Sequence, residues 1–200
     1  MERWATFDCY GTLVDWNAGL AAALGGEEAL ARYHHVEPVV QEENPSLSYR
    51  QVLREGARRI GVEADPAETL PGWPVFGDVR PELETARARG WRLAILSNSD
   101  RDLIEASIQA IGVPFDLAIV ASEIGSYKPA HGHWQAFADT TGRLPDVHVA
   151  QSHFHDVVPA VALGIPSIWI NRLGESAEPP PSRELPGLAG LTDVLDELVP

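Results

Sequence analysis

Several polar residues follow the ends of apolar runs in this sequence, and their types suit a nucleophilic site. They are Asp8, Thr12, Ser97, Asn98, Lys128 and Asp156. A carboxylate can attack carbon or phosphorus and form a covalent ester or an acyl phosphate. A nearby ammonium keeps that carboxylate ionised and stabilises the charge that develops in the transition state. We therefore expect a nucleophile at Asp8, a cation at Lys128 and a second carboxylate, Asp156, that holds this cation.

Lys128 is the only lysine of the chain, and every other basic residue is arginine. An ammonium is a compact point charge whereas a guanidinium is a planar fork, so the two are not equivalent at a close-packed site. A specific need for an ammonium explains this lone lysine, and so does a general bias towards arginine. The composition alone does not decide between these two explanations.

Short apolar runs bounded by turn or polar residues predict five buried strands, at 4–9, 92–97, 117–121, 147–150 and 167–170. Helical patterns are predicted between or after them, at 81–89, 100–111, 129–140, 156–163 and 192–198. Strands alternating with helices indicate a doubly wound α/β fold with a parallel sheet. Ligands bind such sheets at the carboxyl ends of the strands, and the polar residues named above follow those ends.

The stretch 15–72 interrupts the alternation, because it contains helical patterns at 17–33 and 46–60 and no convincing strand. This predicts a helical cap at 15–72, inserted into an α/β core formed by 1–14 and 73–200. The segment 70–77, rich in proline and glycine, is predicted to return the chain to the core. The segment 174–187, "GESAEPPPSRELPG", is predicted to be an exposed loop.

Composition indicates a soluble globular chain of 200 residues with a formal charge of −14. Such an acidic surface repels phosphate backbones, so we expect no nucleic-acid partner. No apolar run is long enough to span a bilayer, and no signal peptide is visible, so we expect no membrane partner and a cytoplasmic location. The single cysteine, Cys9, cannot form a disulfide within one chain. The histidines lack a cysteine framework or an "HExxH" pattern, so we expect no zinc site.

Four segments resemble, in order, the motifs of the haloacid dehalogenase (HAD) superfamily. They are "FDCYGTLVD", "ILSNSD", "SYKP" and the "HD" of "QSHFHDVVPAVALGIPSIWINR". The resemblance runs from Trp4 to about Arg172 and implies a HAD-like, Rossmann-like core with a helical cap after the first motif. It also implies that Asp8 is the nucleophile, Thr12 and Ser97 are active-site hydroxyls, and Lys128 and Asp156 are the third- and fourth-motif residues.

Most members of this superfamily are phosphatases that hold Mg²⁺ with a second aspartate two residues after the nucleophile and with the aspartate of a "GD" in the fourth motif. This chain has Tyr10 at the first position and Gln151 and Ser152 at the second. Mg²⁺ prefers hard, mostly anionic oxygen ligands in an octahedral array, and two of those carboxylates are absent. These departures predict a site without a metal.

The L-2-haloacid dehalogenase branch is more similar, since its first motif reads Asp, a small residue, then Tyr-Gly-Thr, and it uses no metal. Resemblance to this branch implies substrate or halide contacts at Tyr10, Trp16, Arg32, Asn98 and Trp134. In this branch a serine and an asparagine of the fourth motif help to place the hydrolytic water. This chain has Gln151 and His153 at those positions, and the resemblance implies that they place the water together with Ser152.

The sequence therefore predicts a metal-independent hydrolase that dehalogenates short 2-haloalkanoic acids through an ester on Asp8. Its partner is expected to be a small carboxylate substrate, without a cofactor, and the chain is expected to be able to form a homodimer, as related dehalogenases do. Two alternatives stay open: a Mg²⁺-dependent phosphatase of small metabolites, and a HAD-fold binding protein without catalysis.

Overall fold

A parallel sheet with helices around it forms the centre of the computed structural model, which describes residues 2–44 and 46–200. Its six strands lie in the order β3-β2-β1-β4-β5-β6. The strands are β1 (Arg3–Phe7), β2 (Trp91–Ser97), β3 (Leu117–Val120), β4 (Val147–Ala150), β5 (Ser167–Ile170) and β6 (Arg183–Leu185). The α/β fold predicted from the sequence is confirmed, and β4 and β5 have the predicted bounds.

Strand β6 corrects the prediction of an exposed loop at 174–187. It pairs in parallel with β5 at the edge of the sheet, with Arg183 opposite Ile168 and Leu185 opposite Ile170. Its Arg183 and Glu184 side chains are exposed. A three-residue edge strand that faces solvent has no continuous apolar run, so the pattern that reveals buried strands does not find it.

Helices of the core cover the faces of the sheet. They are α5 (Val79–Ala88), α6 (Arg101–Ile111), α7 (Ala121–Ile124), α8 (Gly132–Thr141), α9 (Val158–Ala162) and α10 (Leu191–Leu198), with a π-helical turn at His153–Val157 before α9. The buried sides of α5, α6 and α10 join the strands in a continuous apolar core. A smaller apolar cluster around Trp134 and Phe137 lies beneath α8 and α9.

Between β1 and α5 the described residues form helices without an intervening strand of the sheet. They are α1 (Trp16–Leu24), α2 (Glu27–Glu43), α3 (Tyr49–Arg59) and α4 (Pro66–Thr69), followed by a 3-10 turn at Leu70–Gly72. The single helix predicted at 17–33 is corrected, because the chain breaks at Gly25 and Gly26, whose φ angles are 91° and 133°. Positive φ angles of this kind are accessible mainly to glycine.

The cap contacts the core at the start of α3, where the Asp100 carboxylate accepts hydrogen bonds from the backbone N–H groups of Tyr49 (3.2 Å) and Arg50 (2.9 Å). An acidic side chain at a helix N-terminus satisfies free N–H groups and complements the helix dipole. Nearby, the Tyr127 hydroxyl donates to the Leu47 carbonyl at 2.7 Å. These polar contacts fix the cap above the carboxyl ends of the strands.

Strand β1 lies between β2 and β4. Strands β2 and β3 extend the sheet on one side of β1, and strands β4, β5 and β6 extend it on the other side. This reversal of strand order opens a crevice at the carboxyl end of β1, where ligands bind in folds of this type. Asp8 is the first residue after β1, and its backbone N–H continues the ladder to the Val149 carbonyl at 3.0 Å. None of the helices described is both long and apolar enough to cross a membrane.

Candidate active site

The Asp8 carboxylate is held on both of its oxygens. Lys128 Nζ donates to Oδ1 at 2.9 Å, and the Thr12 hydroxyl donates to Oδ2 at 3.0 Å. Thr12 Oγ1 is itself fixed, because it accepts a 2.8 Å hydrogen bond from the backbone N–H of Gln151 after β4. Asp8 is buried to 8% exposure. Its carboxylate is therefore oriented by charge and by hydrogen bonds rather than by solvent.

A tight turn after β1 allows Thr12 to reach back to Asp8. Gly11 donates to the Val14 carbonyl at 2.8 Å and has a φ angle of 87°. A Cβ atom at Gly11 would lie 2.9 Å from Gln151 Oε1, which is closer than real Cβ contacts. The backbone angle favours glycine here, because L side chains rarely adopt a positive φ.

Lys128 connects the two carboxylates. Its Nζ donates to Asp8 Oδ1 at 2.9 Å, to Asp156 Oδ1 at 2.6 Å and to the Leu96 carbonyl at 2.8 Å. These contacts use the three donors of an ammonium, and Lys128 is 3% exposed. The specific need for an ammonium that the lone lysine suggested has a structural counterpart in this geometry.

Asp156 has a second partner behind the site, on β4. His148 Nε2 lies 2.9 Å from Asp156 Oδ1, and His148 Nδ1 lies 2.8 Å from Thr6 Oγ1. A carboxylate only accepts hydrogen bonds, so the proton between the two side chains is on Nε2 when Asp156 is ionised. Asp156 Oδ2 is buried and has no hydrogen-bond partner among the described residues. Oδ1 is therefore fixed by Lys128 and His148, and Oδ2 is left without a hydrogen-bond partner in the described part of the chain.

Burial and the neighbouring charges determine which of the side chains of Asp8, Lys128 and Asp156 are ionised. Burial raises the pKa of Asp8 above its ordinary value, and the Asp156 carboxylate adds to this effect, although Lys128 opposes it. Burial also works against the charged form of Asp156, but Lys128 and His148 outweigh it and lower the pKa to about 2. For Lys128, burial is outweighed by the two carboxylates, which raise its pKa. At neutral pH, Asp156 and Lys128 are both charged.

Asn98 holds the Lys128 segment against the end of β2. Its Nδ2 donates to the Lys128 carbonyl at 2.9 Å, and its Oδ1 accepts from the Lys128 backbone N–H at 2.6 Å. Ser97, one residue earlier, is buried beside the cleft, and its carbonyl lies 2.9 Å from His133 Nε2. Burial lowers the pKa of His133 to about 4, with a further effect from Lys128, so this imidazole is neutral.

Asp8 opens onto a cleft of about 800 Å³ between the sheet edge and the cap. The cleft lining includes Ser97, Asn98, Lys128 and Asp156 from the core. It also includes a ring of aromatic side chains: Tyr10, Trp16, Tyr49 and Phe76. A concave, largely apolar space with a few convergent polar groups is the usual form of a small-molecule site.

The aromatic side chains are held by one another. The rings of Tyr10 and Tyr49 are stacked, with centroids 5.7 Å apart and an interplanar angle of 19°. Trp16 Nε1 donates to the Tyr49 hydroxyl at 2.6 Å, and the Tyr10 hydroxyl lies 3.2 Å from Ser107 Oγ. Tyr10 and Trp16 thus both line the cleft as parts of this aromatic group.

The sequence profile of the family described as haloacid dehalogenase-like hydrolase matches residues 3–149. This chain belongs to that family.

Two relatives of known activity are dehalogenases. The (S)-2-haloacid dehalogenase 4A of Burkholderia cepacia is 25% identical over 220 residues, which covers 99% of this chain and 94% of the relative. The (S)-2-haloacid dehalogenase of Pseudomonas sp. (strain YL) is 26% identical over 194 residues, with 86% and 84% covered. The structure of the L-2-haloacid dehalogenase from Xanthobacter autotrophicus matches with a TM-score of 0.83 at 21% identity, over 98% of this chain and 99% of that chain. At this identity, structural similarity supports the fold, and the chemistry has to be argued from the residues of this chain.

Arg32 does not reach the cleft, contrary to the sequence-based expectation for this HAD-family site. Its side chain is exposed and donates to the Ile60 carbonyl at 3.1 Å. The face of α2 that lines the cleft carries His34, Glu37 and Gln41. Arg32 precedes Glu37 by five residues, which is about 140° around a helix, so it points elsewhere.

Trp134 and His153 are also outside the cleft lining. Trp134 is a fully buried residue of α8, and its ring packs edge-on against His148 with centroids 5.3 Å apart. His153 packs against Trp169, and its Nε2 lies 2.8 Å from the Pro179 carbonyl. The structure therefore corrects the expectation that these side chains contact the substrate or the hydrolytic water.

Three residues that the sequence analysis did not select belong to the site: His148 behind Asp156, and Glu37 and His155 in the cleft lining. His155 Nδ1 lies 3.0 Å from Ser152 Oγ. A histidine inside an apolar strand is a signal that can be read from sequence for His148. Glu37 lies beyond the helix predicted at 17–33, whereas α2 continues to Glu43.

The carboxylates around Asp8 do not form the ligand set that the magnesium-dependent members of the HAD family use. Among residues 2–44 and 46–200, no group of three or more His, Cys, Asp or Glu side chains converges in the arrangement of a metal site. Lys128 occupies the space between the Asp8 and Asp156 carboxylates. Tyr10 and Ser152 stand at the positions of the two missing acids. The Tyr10 hydroxyl forms a hydrogen bond with Ser107, and the Ser152 hydroxyl forms one with His155.

Proposed function

We propose that this HAD-family hydrolase works without a metal and displaces halide from short 2-haloalkanoic acids through an ester on Asp8. The observation that carries the proposal is that Lys128 donates a hydrogen bond to Asp8 while Tyr10 lines the cleft beside it. A metal-dependent member of the family has a second aspartate at the position of Tyr10. The names of the relatives support the same reaction class.

In the first step, a carboxylate oxygen of Asp8 attacks the carbon that bears the halogen. The carbon–halogen bond breaks, halide leaves with the bonding electrons, and the substrate carbon inverts. The aromatic wall of Tyr10 and Trp16 excludes water from the carboxylate, and a less hydrated carboxylate is a stronger nucleophile. Lys128 keeps Asp8 ionised before the attack.

In the second step, water attacks the carbonyl carbon of the Asp8 ester. Asp156 Oδ2, which has no other partner in the described part of the chain, accepts a proton from this water. Lys128 and the Thr12 hydroxyl stabilise the oxyanion that forms at Asp8. The bond between the carbonyl carbon and the ester oxygen then breaks, the leaving alkoxide takes the proton, and a 2-hydroxy acid leaves.

A halide-release assay tests this proposal. L-2-chloropropionate, bromoacetate and fluoroacetate are each incubated with the protein, with and without EDTA, and Asp8→Asn is the control. We expect halide release that EDTA does not change and that the Asn variant lacks. Phosphate release that needs Mg²⁺, without any halide release, supports the phosphatase alternative instead. Neither reaction, with ligand binding retained, supports a binding protein without catalysis.

A further inference from the structure

The cap face of the cleft carries a carboxyl group where an anion-binding site needs a cation. Glu37 lies on the inner face of α2 together with His34 and Gln41. Its Oε1 accepts a hydrogen bond from Gln41 Nε2 at 3.3 Å. No salt bridge joins Glu37 to a basic residue within the described ranges, whereas other acidic side chains of α2 and α3, such as Glu43 and Glu55, pair with arginines.

Both cations of the cleft already have carboxylate partners. Lys128 is shared by Asp8 and Asp156. Arg172 donates to both oxygens of Asp78 at 3.0 Å, and its guanidinium lies 3.7 Å from the centre of the Phe76 ring. An anionic group that approaches α2 therefore meets a carboxyl group, with neither basic side chain free to balance it.

We propose that Glu37 determines substrate specificity, and that it selects substrates whose end remote from the reacting carbon carries a positively charged amino group. This proposal rests on the proposed function only for the position of the reacting carbon, which is the one that Asp8 attacks.

Electrostatics supports this choice of partner. Burial raises the pKa of Glu37 to about 7, because no cation compensates its charge. A bound ammonium supplies that compensation, and the attraction between unit charges grows as water is excluded from a cleft. The aromatic side chains of Trp16 and Tyr49, which also line the cleft, favour a cation over their ring faces.

Binding of two matched probes tests the proposal without any turnover. Butylammonium and butyrate have similar size and opposite charge, and each is titrated into the whole chain by NMR at a pH about one unit above the pKa of Glu37, which is about 7. We expect Glu37→Gln to weaken the binding of butylammonium about tenfold relative to that of butyrate. Glu42→Gln is the control, because Glu42 is exposed on α2 and does not line the cleft.

An unchanged ratio of the two affinities in Glu37→Gln contradicts the proposal. An equal loss of preference in Glu42→Gln also contradicts it, because the effect then comes from the overall negative charge of the protein. Circular dichroism of each variant verifies that the fold is retained.

Halide release from 2-chlorohexanoate and 2-chloro-6-aminohexanoate separates this inference from the proposed function. If the amino compound has the higher kcat/KM and Glu37→Gln removes the difference, both stand. If both compounds release halide equally well in the unmodified chain, the specificity role of Glu37 is wrong and the reaction stands. If butylammonium binds through Glu37 and no halide is released, the reaction is wrong and the specificity role stands.

Discussion

Lys128 Nζ donates a 2.9 Å hydrogen bond to Asp8 Oδ1 inside a site where both side chains are buried. Asp156 takes a second bond from the same ammonium, so one cation serves two carboxylates. The site therefore carries an excess negative charge when both acids are ionised. Burial raises the pKa of Asp8, and the Asp156 carboxylate adds to this effect, whereas Lys128 and His148 outweigh burial at Asp156 and lower its pKa.

Replacing Lys128 tests whether an ammonium is required. Lys128→Met leaves two carboxylates buried without a cation, and breaking a buried pair in this way costs about 3–5 kcal/mol in the free energy of unfolding. The loss is expected to shrink as the pH falls, because the stranded carboxyl groups then take up protons. Urea unfolding at neutral and acidic pH measures it. A loss that is independent of pH contradicts the assigned charges.

The matched variant Lys128→Arg keeps the positive charge. A planar guanidinium cannot place three donors on Asp8, Asp156 and the Leu96 carbonyl as the ammonium does. We expect it to retain more stability than Lys128→Met and still to lose halide release, by roughly 100-fold or more. Activity close to that of the unmodified chain would show that only charge matters at this position.

The pH dependence of the first chemical step follows from Asp8. Its pKa is raised above the ordinary value of 3.8, and only the ionised carboxylate is a nucleophile. Ester formation is therefore expected to increase as the pH rises through this raised pKa and to be lost below it. Single-turnover halide release measured against pH locates the midpoint. A midpoint below 3.8 contradicts the assigned environment of Asp8.

His148 is predicted to act on the second step as a positioning residue. Its Nε2 holds Asp156 Oδ1 at 2.9 Å, which leaves Oδ2 for the proton of water. His148→Phe removes this bond and is expected to slow ester hydrolysis by roughly 10–100-fold while ester formation is unchanged. Mass spectrometry then finds the Asp8 ester accumulating.

Two further observations separate this role of His148 from a purely structural one. The low pKa of Asp156, about 2, depends on Lys128 and His148, so the acid limb of ester hydrolysis is expected to move to higher pH in His148→Phe. His148→Gln still offers an N–H donor and is expected to recover part of the rate. Equal slowing of both steps, without a shift of the pH profile, contradicts the prediction.

The fold and the core half of the site could be predicted from the sequence because they depend on local patterns. Apolar runs mark the buried strands, and the carboxyl ends of neighbouring parallel strands meet at one edge. Asp8, Thr12, Lys128 and Asp156 follow those ends, and the structure brings them into contact.

The cap half of the site could not be predicted in this way. Which side chain of α2 faces the cleft depends on the rotation of that helix, and the break at Gly25–Gly26 sets where the helix begins. The resemblance selects Arg32, and the helix predicted at 17–33 ends before Glu37, whereas α2 continues to Glu43. Strand β6 could not be predicted either, because its three residues have no strand pattern of their own. They form a strand by pairing with β5.

The central claim is that Asp8 forms a covalent ester with the substrate. The most direct measurement is a single-turnover reaction in H₂¹⁸O with protein in excess over L-2-chloropropionate, followed by mass spectrometry of the Asp8 peptide and of the product. Water attacks the aspartyl carbonyl in this account, so the predicted result is ¹⁸O in Asp8 and unlabelled oxygen in the hydroxyl group of the product. Halide release with ¹⁸O in that hydroxyl group and none in Asp8 would contradict it.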